Sequence, residues 1–232
     1  MGPQYYQSSS AVRTDRGLFQ RVFSWMFAGL LLTGIIAYFL SSNINISGLI
    51  EFHRSIIWGA IIVQIVIVMA ISALIGRISA FTATFLFFLY AAINGVTFSL
   101  YFAYVEVSTI GSAFIITAGM FGISAAIGFI TKADLSKMGS IFLMLLLGLT
   151  LATLVNVFFL HSSTGSLILS YIVVVVFCGI TAYDVQNIKH MSAGIQSMDE
   201  NTATKVAIYG ALMLYIDFIA ILQNLINILS RD

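Results

Sequence analysis

The sequence predicts an all-α polytopic membrane protein with seven transmembrane helices. Its residues are 60% hydrophobic and 8% charged, and its mean hydropathy is +1.04. Soluble domains carry about 25% charged residues, so this chain cannot cover a globule with polar surface. Seven apolar runs of helical length follow one another, and none shows the alternation over about ten residues that marks a membrane β-barrel.

Each apolar run is long enough, at roughly 20 residues, to cross a bilayer core about 30 Å thick, and must be helical because lipid offers its backbone no partners. The predicted spans are Leu18–Leu40, Ser55–Ile75, Ala80–Ala103, Ile110–Ile130, Gly139–Leu160, Ser166–Tyr183 and Lys205–Leu229. Residues 1–17 are predicted as a polar cytoplasmic tail, and residues 18–232 as a single seven-helix transmembrane domain.

The connections are short except the sixth, from Asp184 to Thr204, which we expect in water and partly as a helical extension of span six. Small residues inside the spans favour close helix packing. The glycines to which this applies are Gly29, Gly34, Gly95, Gly119, Gly122, Gly128, Gly148, Gly179 and Gly210.

The positive charges predict an orientation, because cytoplasmic loops are enriched in lysine and arginine. A cytoplasmic N-terminus leaves only Arg54 and Arg231 outside and predicts an external C-terminus. The residues then inside are Arg13, Arg16, Arg21, Arg77, Lys132, Lys137, Lys189 and Lys205. If the last run were re-entrant, both ends would be inside.

One carboxylate lies within the last span, in the stretch LYIDFIAIL. Asp217 follows Lys205 by twelve residues, or about 18 Å of helix, which places it near mid-membrane. A carboxylate there costs about 2.5–3.5 kcal/mol on insertion scales, so Asp217 must face other helices or water.

A second carboxylate, Asp184 in TAYDVQNIK, lies at the predicted cytoplasmic end of span six. It meets Asp217 only if span six starts deeper or span seven is broken near Gly210. Two touching carboxylates share one proton, because both cannot ionise cheaply. Such a pair makes a pH sensor, a proton relay or a hard-cation site. The alternative is two separate structural residues with local donors.

Other polar residues allow two interpretations each. Arg77, in ALIGRISAF, is either a cation partner of Asp184 or an interfacial anchor. Uncharged polar residues within spans more often bond helix to helix than line a pathway. Those residues are Gln64, Asn94, Asn156, Asn224 and Asn227.

Enzyme signatures are not found, so we expect no enzymatic activity. The three histidines fall in loops without zinc-binding spacing, and the chain has no GxxxxGK[ST] phosphate loop. A single cysteine, Cys178, excludes an internal disulfide. A net charge of +1 gives no reason to expect nucleic acid as a partner.

Two segments together carry a family resemblance: GITAYDVQNIK, from Gly179 to Lys189, and YGALMLYIDFIAIL, from Tyr209 to Leu222. They resemble the paired signature of the Bax-inhibitor, or transmembrane BAX inhibitor motif, family in a bacterial form. The resemblance implies seven helices with the last helix central, and a location in the bacterial inner membrane. It also implies a pH-sensitive calcium leak channel.

The resemblance assigns roles to three residues. Asp184 and Asp217 match the hydrogen-bonded aspartate pair, near the cytoplasmic side, and Arg77 matches an arginine that holds the pore closed through the first aspartate. This chain departs from many relatives at Asn227, where they carry an arginine, and gating on the outer side is therefore expected to differ.

The leading hypothesis is a passive pathway that admits Ca²⁺ as permeant ion, without a cofactor, with Asp184 and Asp217 as candidate Ca²⁺ ligands. Its partners are the bilayer, Ca²⁺ and H⁺. One alternative is a non-conducting regulator of membrane proteases or stress machinery, which would dock partners through Met198, Asp199 and Glu200. Another is a proton-coupled transporter.

Overall fold

A computed structural model describes residues 4–43, 54–192 and 199–231, with side chains in 17–43, 59–192 and 199–231. Those residues form α-helices and contain no strand. The helices are α1 (Gln4–Asn43), α2 (Arg54–Leu74), α3 (Ala80–Tyr104), α4 (Val107–Ile130), α5 (Gly139–Val155), α6 (Ser163–Ser192) and α7 (Glu200–Leu229). A 3₁₀ helix, Leu135–Met138, precedes α5, and a π-helical turn, Asn156–Leu160, follows it.

The seven predicted spans correspond to these helices, which confirms the all-α membrane fold. Within the described residues, six helices are long and apolar enough to cross a membrane, and α2 has an apolar segment at Gly59–Leu74. The N-terminal tail is helical from Gln4 and continues into α1 without a break.

The predicted helical extension of span six is confirmed, because α6 continues past Tyr183 to Ser192. The expectation that the segment after Asp184 lies in water is wrong at its start, because Val185, Gln186 and Ile188 are buried in the protein. The α7 helix begins at Glu200, five residues before the predicted start at Lys205, and passes Gly210 without a break. The middle of the sixth connection, residues 193–198 including Met198, lies outside the described residues.

The chain divides into two compact units, one of Met1–Val105 with Ile188–Tyr215 and one of Glu106–Asn187 with Ile216–Asp232. Both α6 and α7 therefore contribute residues to each unit. In the first unit, α3 packs against α1 and α2. Tyr215 of α7 is fully buried there, with its ring edge-on to Phe87 at 5.8 Å and to Tyr90 at 5.7 Å.

In the second unit, α4 and α6 approach closely at Gly128. A Cβ on Gly128 would collide with the backbone carbonyl of Ala182, so only glycine fits this approach. Phe218 of α7 packs its ring between Phe114 and Phe121 of α4, with centroids 5.4 and 5.5 Å away. The α4 helix thereby contacts both helices that carry the predicted aspartates.

The glycine prediction is confirmed at some positions and wrong at others. Neighbouring side chains or backbone stand within contact distance of the Cβ position at Gly29, Gly95, Gly128, Gly179 and Gly210. Nothing lies within 4 Å of that position at Gly34, Gly119, Gly122 and Gly148. The second group therefore does not bring helices together within the described chain.

The last helix is the most buried candidate span in the described chain. In α7, 67% of the most apolar window is buried, compared with 39% for α3 and 6% for the α5 segment. Its first half supplies core residues to the first unit and its second half to the second unit. This high burial is what a central last helix would show, and the position itself stays a prediction.

Candidate functional site

The carboxyl of Asp217 lies inside the second unit, on the middle of α7. Its side chain is 2% exposed, and among the described residues its Oδ2 atom has no hydrogen-bond partner. Buried polar atoms in proteins nearly always have a partner, so this oxygen is an exception that requires an explanation.

Asp184 faces the same buried region from α6 and is 7% exposed. The two carboxyls are close enough for their charges to interact. Because α6 continues eight residues beyond Asp184, or about 12 Å, this carboxyl lies well inside its helix rather than at its end. The two aspartates thus come within electrostatic reach of each other without a break in α7. The hydrogen bond between them implied by the family resemblance stays a prediction.

Two further polar side chains of α6 lie near Asp217 in the second unit, and one of them contacts a serine of α4. Thr181 is fully buried, lies against the Asp217 carboxyl and donates its hydroxyl hydrogen to the Phe177 carbonyl at 2.8 Å. Cys178 lies within electrostatic reach of Asp217 and contacts Ser124 of α4.

The sequence interpretation did not single out Thr181 or Ser124, or place Cys178 near a carboxyl. One available signal was spacing, since Cys178, Thr181 and Asp184 recur every three residues along one side of α6.

The predicted uncharged polar residues differ in their contacts. The Asn227 amide donates to Ser170 Oγ of α6 at 2.8 Å, which confirms a helix–helix hydrogen bond. Asn94 and Asn224 instead donate to carbonyls one turn back in their own helices, at 3.0 and 2.8 Å. In α2, the buried Nε2 of Gln64 finds no partner among the described residues.

Asn156, another of the predicted polar residues, stabilises the turn between α5 and α6 through three hydrogen bonds. Its amide donates to the Ser166 hydroxyl at 2.9 Å and to the Ser162 carbonyl at 3.2 Å. Its Oδ1 accepts from the Ser162 backbone N–H at 3.2 Å. Asn156 therefore bonds locally, within this turn and the start of α6.

Arg77 is exposed in the turn between α2 and α3. It belongs to the first unit, and Asp184 to the second, so the ion pair between them stays a prediction. The backbone of this turn is fixed, since the Arg77 N–H donates to the Leu74 carbonyl at 2.8 Å.

Another residue that the sequence interpretation missed is Gln186, two residues after Asp184 on α6. Its side chain is 5% exposed and forms hydrogen bonds to the backbone of the loop between α4 and α5. Nε2 donates to the Ala133 carbonyl at 2.8 Å, and Oε1 accepts from the Leu135 N–H at 2.7 Å. Gln186 therefore fixes this loop to α6 beside the aspartate pair.

The acidic pair provides carboxylate oxygens, which suit hard cations such as Ca²⁺. Within the described part of the chain, no cluster of three or more His, Cys, Asp or Glu side chains is arranged to hold a metal ion. Asp184 and Asp217 alone are fewer ligands than the six to eight oxygens that Ca²⁺ takes in a resident site.

Long apolar helices around a buried acidic pair define an integral membrane protein with an ionisable centre. The chain matches the family described as "Inhibitor of apoptosis-promoting Bax1" over residues 15–232, and it belongs to this Bax inhibitor family.

Relatives from several bacteria match nearly the whole chain. The Escherichia coli protein named "Inner membrane protein YbhL" is 40% identical over 231 residues, covering 98% of each chain. A Deinococcus radiodurans protein is 42% identical over 219 residues, covering 94% of this chain and 92% of its own. A Borreliella burgdorferi protein is 40% identical over 211 residues, covering 91% and 90%.

Proposed function

We propose that this protein is a passive cation pathway that admits Ca²⁺ and is gated by protonation of the Asp184–Asp217 pair. The observation that carries the proposal is the burial of two interacting carboxyls inside membrane-spanning helices. Intramembrane ionisable residues mark ion pathways, proton relays and sensors, because their burial is costly.

The protonation state of the pair supplies the switch. An anionic Asp217 would bury the unpartnered Oδ2 atom at a high cost in free energy, whereas a proton shared with Asp184 removes one charge. Loss of that proton makes two anions repel each other. Gain of a second proton removes the negative charge that would hold Arg77. Both changes disturb the closed arrangement, so cation flux depends on pH.

The proposed location rests on a relative, and the proposed orientation rests on the distribution of lysine and arginine along the chain. The Escherichia coli relative is named an inner membrane protein, and we extend that location to this chain. A cytoplasmic N-terminus keeps Arg77, Lys132, Lys137 and Lys189 on one side, as the enrichment of positive charge in cytoplasmic loops requires. The pathway then lets Ca²⁺ move down its gradient into the cytoplasm.

A Ca²⁺ flux assay in liposomes with purified protein tests the proposal. Flux through the wild type is measured across a range of pH and compared with Asp184→Asn and Asp217→Asn, which keep the side-chain shape but remove the acidic group. We expect downhill flux that varies with pH in the wild type, and a flat pH profile in both variants.

Glu106→Gln is the matched control, because Glu106 is an exposed carboxylate at the start of α4 and its replacement changes the charge equally. It should leave the pH profile unchanged. An unchanged profile in both aspartate variants would remove the pair from the mechanism. Wild-type protein that passes no ions favours the non-conducting regulator, and uphill accumulation driven by a proton gradient favours a transporter.

A further inference from the structure

The α6–α7 pair is closed at one end by a set of contacts that we call the terminal bridge, made by Ser163, Ser170, Asn227 and Arg231. The Arg231 guanidinium donates through one nitrogen to the Ser163 carbonyl and through the other to Asn227 Oδ1 at 3.4 Å. The Asn227 amide in turn donates to Ser170 Oγ at 2.8 Å. One arginine thus connects the last turn of α7 to the first turn of α6.

The terminal bridge lies on the same side of α7 as the buried carboxyl. Asp217 and Asn224 are seven residues apart, a spacing at which two positions differ by only about 20° on a straight helix. They therefore share one face of α7, and Arg231 follows seven residues after Asn224, two residues beyond the helix end at Leu229. The acid lies at one level of α7 and the cation just past its end.

The partners on α6 follow the same order in the opposite direction. Thr181 lies beside Asp217, Ser170 bonds Asn227, and the Ser163 carbonyl bonds Arg231. These three contacts follow an antiparallel order and join α6 to α7 at successive levels, from Asp217 to the terminal bridge. Both levels belong to the second unit.

The terminal bridge resembles a cation-binding site in which the bound cation, the Arg231 guanidinium, belongs to the protein itself. The Ser163 carbonyl and Asn227 Oδ1 are uncharged oxygen acceptors, the ligand type that hard cations take. The guanidinium between them keeps its charge at every physiological pH and donates in a planar fork. Because its side chain is exposed, Arg231 can leave the oxygens without crossing the protein interior.

We propose that Arg231 acts as a cation supplied by the protein, and that it occupies the oxygen acceptors of the terminal bridge, at the end of the α6–α7 pair remote from Asp184. This proposal rests on the proposed Ca²⁺ pathway. Arg231 opposes entry of Ca²⁺ at that end by repulsion and by occupying the oxygens. Asn227 positions it. This closure is independent of pH, whereas the aspartate pair supplies the pH response.

The test compares liposome Ca²⁺ flux through wild type, Arg231→Ala and Arg231→Lys. Loss of the guanidinium should raise flux about fivefold, equivalent to about 1 kcal/mol in the opening equilibrium, while the shape of the pH profile is retained. Lysine keeps the charge but cannot bridge two oxygens in a planar fork, so Arg231→Lys should lie between the two. Lys137→Gln, which removes an exposed positive charge from the loop between α4 and α5, should leave flux unchanged.

Adding free guanidinium ion to Arg231→Ala tests whether the flux changes because the oxygen acceptors are empty or because the shortened side chain alters the structure. Millimolar guanidinium ion should lower the flux of Arg231→Ala toward that of wild type, and methylammonium should do so less. Thermal melting in detergent checks that the variant is folded.

The outcomes distinguish the two proposals. A conducting wild type with an Arg231→Ala variant of equal flux, or a raised flux that guanidinium does not lower, would overturn the role of Arg231 alone. Absence of flux in wild type and in every variant would overturn the Ca²⁺ pathway itself.

Discussion

Tyr215 and Thr33 meet hydroxyl to hydroxyl, 2.6 Å apart, in the apolar core of the first unit. The Thr33 hydroxyl also lies 3.0 Å from the Gly29 carbonyl and 2.9 Å from the Ala91 carbonyl. The Thr33 hydroxyl has a single hydrogen, and the two carbonyls are acceptors for it. We therefore infer that the Tyr215 hydroxyl donates to Thr33 Oγ1. This contact fixes the height of α7 against α1 two residues before Asp217.

Tyr215→Phe is therefore expected to lower the free energy of unfolding by about 0.6 kcal/mol, the average for hydrogen bonds between membrane helices, and by at most about 1.7 kcal/mol. Thr33→Val should cost a similar amount, and the double variant less than the two losses added together. Thermal or denaturant unfolding in detergent measures this. Tyr171→Phe is the control, because Tyr171 is 54% exposed, and additive losses would contradict the pairing.

Gly128→Ala should destabilise the second unit by about 1–3 kcal/mol, because the added methyl group overlaps the Ala182 backbone and forces α4 and α6 apart. Since Ala182 precedes Asp184 by two residues, the variant should also alter the pH profile of flux. Gly122→Ala is the matched control six residues away on the same helix, with nothing within 4 Å of its Cβ position. Equal melting temperatures for both variants would contradict the close approach.

Gln186→Ala should release the loop between α4 and α5, because it removes both a donor and an acceptor to that backbone. The loss is about 1–3 kcal/mol if the freed backbone groups stay buried. Limited trypsin digestion detects the release as faster cleavage after Lys132 and Lys137. Gln223→Ala, at a half-buried glutamine of α7, controls for truncation and should leave the digestion rate unchanged.

Asp199 caps the first turn of α7. Its Oδ1 accepts from the Thr202 hydroxyl at 2.7 Å and its Oδ2 from the Thr202 N–H at 3.3 Å. The hydrogen bond from the Thr202 side chain is the main cause that lowers the pKa of Asp199 below its ordinary value. The cap therefore stabilises the fold at neutral pH, and its contribution is lost as pH falls through the lowered pKa.

Asp199→Ala should lower the melting temperature at pH 7, by less than Gly128→Ala does, and the difference from wild type should shrink in acid. Melting curves recorded from neutral to acidic pH measure this dependence. Glu200→Gln, at the neighbouring exposed position, should not reproduce this pH dependence. A difference between Asp199→Ala and wild type that persists at the acidic end would show that the carboxylate charge is not involved.

The positions of the helices could be predicted from the sequence because lipid leaves an apolar backbone no alternative to helix. The two carboxylates were also recognisable, since a charge within an apolar run is costly enough to be rare. The sequence placed Asp184 at the end of the apolar span, because many of the residues after it are polar, and predicted only part of the following segment as helix. In the structure α6 continues to Ser192, and Val185, Gln186 and Ile188 are buried in the protein.

By itself, then, the sequence determined the membrane class, the seven helices and the identity of the acidic residues. Only the tertiary structure decided which faces meet. In a membrane, both the lipid-facing and the protein-facing sides of a helix are apolar, so hydrophobic periodicity does not distinguish Gly29, packed against Phe87, from Gly34, which faces open space. The contacts of Thr181, Gln186 and Arg231 likewise depend on the levels at which neighbouring helices stand, and packing alone sets those levels.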